Sequence, residues 1–207
     1  MIRALPCIKF SCKETKIAKK YGFITFPEFI DNFYVRYKTA QFNMFWKYLT
    51  QYYSQIKFAV YPDYRYDELL FLLGKFPNIR WIFPVHSKKE FEFAKRHFEW
   101  VGFPYRKSFR DYTLSEFLNY FKNHKKWYLG FWDESRPEVL LHFDGFDTTL
   151  PEYYSGKLGK IWVSWGKVYK PSLPMRTIEI FEINVRNFKK AIDELERQRT
   201  LEVIECV

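Results

Sequence analysis

The stretch IRWIFPVHSKKEFEFAKRHFEWVGFPY, residues 79–105, places one helical pattern between two apolar runs of strand length. The runs at residues 79–86 and 98–105 are apolar almost without interruption, which is typical of strands buried on both faces of a sheet. Between them, Ser87 is followed three residues later by Glu90, a signature of a helix N-terminus. The stretch therefore predicts a strand–helix–strand unit with parallel strands.

The same alternation continues in both directions along the chain. Further strands are predicted at residues 4–12, 21–31, 56–63, 125–133 and 159–166, and further helices at 42–53, 66–76, 113–124, 136–143 and 184–199. Such an alternation fits either a (β/α)8 barrel or an open doubly wound sheet. The usual phosphate-binding motifs of the open sheet, GxGxxG and GxxxxGK[ST], follow none of the strands. We therefore predict an α/β fold, a compact (β/α)8 TIM-like barrel, complete or incomplete.

The chain length predicts one domain. A barrel of this class is typically about 250 residues long, so 207 residues leave little room for insertions. We expect a single α/β barrel domain over residues 1–207, in which residues 171–207 are a C-terminal extension of strand and helix.

The composition indicates a globular protein with an anionic partner. Hydrophobic residues make up 47% of the chain, which argues against global disorder, and the net charge of +10 favours DNA or tRNA as partner. A basic surface without a specific partner is the simpler alternative.

No run has the length of a membrane span or the form of a signal peptide, so we expect a cytoplasmic protein, in the host cytoplasm if it is viral. The 22% of aromatic residues and the many charged ones suit an archaeal or viral source.

Cysteines and histidines are not spaced as metal ligands. Cys7, Cys12 and Cys206 form no CxxC pair, and the remaining histidines outside the strand ends, His97, His124 and His142, show no ligand spacing. We predict a reducing compartment, no metal site and no cofactor.

Polar residues stand where the predicted strands end. Asp31, Asp63, His86 and Asp133 each close a strand, and Asp144 and Asp147 precede the predicted last central strand at 159–166. In a (β/α)8 barrel these ends form the active-site face, so the carboxylates are expected to converge on one pocket. Aspartate is also a common turn and N-cap residue, which is the alternative for each of them.

Residues 127–159 resemble a segment of the tRNA-guanine transglycosylases and their DNA-acting 7-deazaguanine relatives. That segment runs from a YLMG strand through PEDLL to FDCVLPTR, and the matching residues here are Tyr128, Leu129, Gly130, Pro137, Glu138, Leu140, Leu141, Phe146, Asp147, Leu150 and Pro151. Upstream, FIDNF, FAVYPD and WVGFPY resemble the family's DSGGF, VVPD and IGGL motifs. The likeness spans about residues 23–166.

The resemblance implies exchange of a guanine or 7-deazaguanine base in DNA or RNA. Asp147 would be the nucleophile at the sugar C1′, and Asp31 would handle protons on the base. Residues matched to or placed near the base are Asp63, Gly102, Tyr61, Phe103 and Tyr105. The chain departs from the family in lacking its zinc site, the arginine after Pro151, the glycines after Asp31 and one glycine beside Gly102.

Two other functions fit the same residues. One is a non-catalytic nucleic-acid-binding barrel that keeps the scaffold and the basic surface. The other is a metal-dependent nuclease that uses Asp144, Asp147 and Lys160 or Lys167, although the strand carries no Glu-x-Lys pair. In either nucleic-acid function the expected phosphate contacts are Arg106, Lys107, Arg110, Lys157, Lys160 and Lys167, with a solvated rim as the alternative.

Overall fold

A computed structural model of the protein describes residues 1–6, 10–32, 42–63, 69–132 and 136–205. Cys7, Asp133 and Cys206, which the sequence singled out, lie outside the described residues. The strands of the main sheet are β1 (Ile2–Leu5), β2 (Ile24–Thr25), β3 (Phe29–Ile30), β4 (Phe58–Val60), β5 (Arg80–Pro84), β6 (Trp100–Pro104), β7 (Lys125–Phe131) and β8 (Gly145–Thr148).

The eight strands form one sheet in the order β2-β1-β8-β7-β6-β5-β4-β3. The pairs β1–β8, β3–β4, β4–β5, β5–β6 and β6–β7 are all parallel. Each strand from β3 to β8 adjoins its neighbour in sequence, and β1 adjoins β8, which is the strand order of a TIM-like barrel. The predicted α/β fold class is confirmed.

The helices lie between the strands, as the periodicity predicted. They are α1 (Cys12–Lys20), α2 (Phe42–Tyr52), α3 (Phe71–Lys75), α4 (Phe91–His97), α5 (Leu114–Tyr120), α6 (Leu150–Glu152) and α7 (Thr177–Glu205), with 3-10 turns at Lys88–Glu90, Lys107–Phe109 and Pro137–His142 and a π-helical turn at Tyr153–Lys157. The capping box predicted at Ser87 is present, since Glu90 accepts the Ser87 amide at 3.1 Å. A second capping box begins α5, where Glu116 accepts the Thr113 amide at 2.8 Å. Among the described residues, no helix combines the length and the apolar character needed to cross a membrane.

Three of the predicted elements are wrong. In place of the strand predicted over residues 4–12, β1 covers Ile2–Leu5, and the capping box of Ser11 and Glu14 begins a helix at Cys12. The strand predicted at 159–166 is not in the parallel sheet: Ile161–Ser164 (β9) pairs antiparallel with Lys167–Tyr169 (β10) in a sheet of two strands.

The strand of the main sheet that is missing from the prediction is β8, and it contains Asp147. The predicted strand at 21–31 is also two short ones, β2 and β3, separated by a segment that includes Pro27. Proline lacks the amide proton that a strand needs for its ladder, which accounts for the break.

The chain divides into two compact units, residues 25–129 and residues 1–24 with 130–207. In the first unit, Trp127 is fully buried and its ring centroid lies 5.2 Å from those of Phe29 and Phe58. In the second, Phe188 of α7 is 1% exposed and packs on Trp162 at 5.3 Å. Each unit thus has its own aromatic core.

Candidate functional site

Asp147 lies in the unit of residues 1–24 and 130–207 as the third residue of β8. It is only 9% exposed, and its Oδ2 accepts a hydrogen bond from the Gly130 amide at 3.1 Å. Gly130 has a φ of 72°, a left-handed conformation that favours glycine. A buried carboxylate at the end of a parallel strand is therefore held by the backbone of the neighbouring strand.

The contact between Asp147 and Gly130 joins two parts of the motif on which the family resemblance rests. The end of β8 is fixed further by Thr148, whose Oγ1 donates to the Phe131 carbonyl at 2.8 Å and accepts from the Leu150 amide at 3.1 Å. Asp144 is half-buried just before β8, and its carbonyl accepts from the Ile2 amide at 2.8 Å. Asp147 thus lies within β8, a strand of the main sheet. The sequence had predicted it in a segment that precedes a strand at 159–166.

A second buried carboxylate, Asp63, lies in the unit of residues 25–129. Its side chain is 3% exposed, and Oδ1 lies 3.0 Å from Nε2 of His86, whose side chain is 8% exposed. The other ring nitrogen, Nδ1, lies 2.9 Å from the Phe109 carbonyl. A carbonyl only accepts, so Nδ1 carries a proton and donates it. Both ring nitrogens of His86 therefore make hydrogen bonds, Nε2 with Asp63 and Nδ1 with the Phe109 carbonyl. We call the two side chains in contact the Asp63–His86 pair.

The surroundings of the Asp63–His86 pair favour the charged imidazole. Burial acts to lower the pKa of His86, but the hydrogen bond to Asp63, the Asp63 charge, the Phe109 carbonyl and the Glu90 charge outweigh it, so that the pKa is raised above its ordinary value. Glu90 is itself buried, and its Oε2 accepts the His86 amide at 2.5 Å. The surroundings of His86 thus favour a buried ion pair with Asp63, and both ring nitrogens of His86 have hydrogen-bond partners.

Both members of the Asp63–His86 pair follow adjacent strands, β4 and β5. Asp31 directly follows β3, the next strand outward, and is half-buried. Asn32 is buried, and its Nδ2 donates to the Tyr61 carbonyl at 2.9 Å. Within this unit, the carboxyl ends of three neighbouring parallel strands thus carry polar side chains on one edge of the sheet, where barrels place their sites. Convergence of Asp31 and Asp63 with Asp147 stays a prediction.

The residues expected around a base are mostly core residues. Tyr61 is fully buried, with ring contacts to Trp81, Phe83 and Phe98. Phe103 is 2% exposed, and the Arg110 guanidinium lies 4.4 Å above its ring. Neither ring offers a face to a base without rearrangement. Tyr105 is half-buried, which leaves it as the accessible ring of the three.

Gly102 is explained by packing. A Cβ built there would lie 2.5 Å from Cδ1 of Leu129 and 3.1 Å from Cγ2 of Ile82. The space above Gly102 is therefore filled by two side chains of the strands on either side. The glycine allows a close approach of side chains here, where the resemblance places the floor of a base pocket.

The six basic residues expected at phosphates differ in exposure. Arg106, Lys107, Lys157 and Lys167 are exposed, whereas Lys160 and Arg110 are half-buried. The Arg110 guanidinium donates to the carbonyls of Pro104 at 3.1 Å and Tyr112 at 2.8 Å, which gives it a structural role in its loop. Within the described ranges, no three His, Cys, Asp or Glu side chains are grouped as metal ligands.

One part of the site was missed by the sequence: it predicts His86 at the end of a strand but not the pairing of His86 with Asp63. Its partners Asp63 and Phe109 are both 23 positions away, so no local pattern shows them. The available signal was a histidine at the end of a buried strand, next to a capping box whose glutamate turns back to it.

Comparison with known proteins gives one informative relative. No protein-family model matches the chain. The uncharacterized protein ORF192 of Acidianus two-tailed virus is 34% identical over 146 residues, which cover 67% of this chain and 74% of that protein. A viral relative agrees with one of the two sources that the composition indicated.

Proposed function

We propose that this chain, which belongs to the family of the uncharacterized protein ORF192 of Acidianus two-tailed virus, is a transglycosylase-like enzyme that exchanges a guanine-type base in DNA or RNA. The observation that carries the proposal is the buried Asp147 carboxylate at the end of β8, held by the Gly130 amide. For a member of a viral family, the expected compartment is the host cytoplasm.

Asp147 is the proposed nucleophile. In the proposed reaction, an Asp147 oxygen attacks the sugar C1′ and forms a glycosyl ester. The bond between C1′ and the base nitrogen breaks, and its electron pair leaves with the base, which takes up a proton. The incoming base then attacks C1′, loses a proton and releases the carboxylate. The Gly130 amide fixes one oxygen of Asp147, so the carboxylate is held before substrate binds.

Asp31 and Asp63 are the groups proposed to handle the base. Asp31 is the proposed proton carrier, as the resemblance implies. Asp63 is the proposed hydrogen-bond acceptor for the N–H groups on the edge of guanine. His86 holds the Asp63 side chain in one orientation, because its Nε2 lies 3.0 Å from Oδ1.

The test is labelled-guanine exchange into DNA and into tRNA by the native protein and by Asp147→Asn. Asparagine keeps the side-chain shape and an oxygen for the Gly130 amide, so the fold is expected to survive. We expect incorporation by the native protein and a loss of about 10³-fold or more in the variant, since the nucleophile is removed.

Asp144→Asn is the matched control, because it removes the same charge three positions earlier and outside the proposed chemistry. Exchange that is equal in native protein and Asp147→Asn contradicts the role of Asp147. Absence of exchange in both nucleic acids contradicts the enzyme.

A non-catalytic nucleic-acid-binding barrel is the second candidate. The observation that favours it is the burial of Tyr61 and Phe103 together with the filled space above Gly102. These residues, which the resemblance places around the base, pack in the core. Salt-dependent binding of nucleic acid without exchange would support this candidate.

A further inference from the structure

The β9–β10 hairpin, formed by Ile161–Ser164 and Lys167–Tyr169, has one anchored strand and one outer strand. The backbone of Trp162 in β9 is held by α7: its amide donates to Asn184 Oδ1 at 2.7 Å, and its carbonyl accepts from Asn187 Nδ2 at 2.8 Å. Asn184 Nδ2 also donates to the Lys160 carbonyl at 3.1 Å. The Trp162 side chain is 1% exposed, so β9 is fixed to the core of its unit.

The outer side of the β9–β10 hairpin carries exposed apolar side chains. Tyr169 in β10 is 51% exposed and Leu173, which follows β10, is 75% exposed. The strand register skips Val163, which is 44% exposed, so this residue is the extra one of a β-bulge. Bulges redirect side chains and are frequent beside functional sites.

The sequence segment that contains this hairpin carries charge of one sign. Between Glu152 and Glu179 the chain contains no acidic residue, and it contains the basic residues Lys157, Lys160, Lys167, Lys170 and Arg176. Arg176 pairs with Glu179, at 2.8 Å and 2.5 Å between guanidinium nitrogens and Oε1, which offsets its charge. The four lysines remain, and three of them, Lys157, Lys167 and Lys170, are exposed.

We infer that the β9–β10 hairpin is a binding surface for single-stranded nucleic acid, with Tyr169 as a stacking platform for a base and Lys167 and Lys170 as phosphate contacts. Single-strand binders combine these two elements, because every base has a face for an aromatic ring and every nucleotide has a phosphate. A duplex hides its base faces, so an exposed tyrosine on a basic ribbon matches an unpaired strand better. The inference deepens the proposed function, because it names the form of nucleic acid that the enzyme holds.

The experiment measures the fluorescence anisotropy of a labelled oligothymidine strand, and of a duplex of equal length, over a series of salt concentrations. We expect the native protein to prefer the single strand. Tyr169→Ala is expected to weaken its binding by about 5- to 150-fold, and Tyr169→Phe to keep it within about twofold, since the ring is retained. Phe71→Ala is the matched control, because Phe71 is also 51% exposed but lies in the other unit.

Two lysine variants make the test independent of the tyrosine. Lys167→Ala and Lys170→Ala are each expected to reduce the slope of log K against log salt by about 0.7. Binding that is unchanged in Tyr169→Ala, equal affinity for the duplex, or an equal loss in Phe71→Ala overturns the inference. Circular dichroism of each variant identifies a loss that comes from unfolding.

The outcomes separate this inference from the proposed function. Single-strand binding that depends on Tyr169, without base exchange, supports the inference and contradicts the proposed enzymatic function. Base exchange that Tyr169→Ala leaves at the native rate and affinity supports the enzyme and overturns the inference. The inference is also overturned if the β9–β10 hairpin binds a protein and does not bind the oligonucleotide.

Discussion

Replacing Asp63 by asparagine removes the charge beside His86 and keeps the shape of the side chain. A hydrogen bond to a charged group contributes about 1.5–3 kcal/mol to stability, and loss of one partner of a buried ion pair costs up to about 3–5 kcal/mol. The higher range requires that the remaining group stays charged. His86 can lose its proton, and its neutral Nε2 then accepts a hydrogen bond from the asparagine amide. The cost of Asp63→Asn therefore depends on pH.

The direction follows from the pKa of His86, which is raised in the folded protein above the ordinary 6.5. A raised pKa contributes stability that is complete below the unfolded pKa and is lost as pH rises through the folded pKa. We expect Asp63→Asn to lower the free energy of unfolding by about 1.5–3 kcal/mol at pH 5.5 and by less than about 1 kcal/mol at pH 9. For a chain of this length, the loss at pH 5.5 corresponds to about 3–12 °C in unfolding temperature.

The assay is urea unfolding of the native protein and Asp63→Asn at both pH values. Glu99→Gln is the control, since it removes one exposed carboxylate from the same unit. The buried Glu90 carboxylate is present in both proteins, so its effect on His86 cancels to first order in the comparison. A loss of equal size at pH 5.5 and pH 9, or a larger one at pH 9, would refute the ion pair.

Two further substitutions test the cores of the two units by urea unfolding. Trp127→Ala is expected to cost about 3–5 kcal/mol, because the fully buried ring contacts Phe29 and Phe58, and a loss below about 1 kcal/mol would contradict this packing. Asn184→Ala is expected to cost about 1–3 kcal/mol and to speed hydrogen exchange at the Trp162 amide, which loses its acceptor. Native exchange at that amide would contradict the anchoring of β9.

The parallel strands were predictable where the chain is apolar without interruption. Residues 79–86 and 98–105 contain β5 and β6, because strands buried on both faces need apolar side chains at every position. The strand β8 was missed for the converse reason. Its four residues, Gly145–Thr148, include a buried aspartate, which interrupts the apolar pattern that predicts a central strand. The Gly130 amide that holds this aspartate is a tertiary contact and is not visible in the local pattern.

The hairpin was mistaken for a strand of the main sheet because Ile161 and Trp162 are as apolar as a central strand. A tertiary contact separates the hairpin from the main sheet. Asn184, which lies on α7 more than twenty positions later in the chain, accepts a hydrogen bond from the Trp162 amide. Local pattern carries no information about such a partner. The exposure of Tyr169 likewise follows from β10 being the outer strand, which the sequence does not show.

The location of the Asp63–His86 pair bears on whether it has a function. Buried ion pairs are weak contributors to stability, since apolar residues of similar size often serve the fold as well or better. The edge of the sheet after β4 and β5 is already surrounded by aromatic residues such as Tyr61 and Phe83. A fold that needed only packing would extend that core through positions 63 and 86. The pair instead lies at the carboxyl ends of parallel strands, where barrels bind their substrates. If Asp63→Asn retains native stability at pH 9 and still fails to exchange guanine, the pair serves the reaction; if exchange follows stability at every pH, it serves the fold.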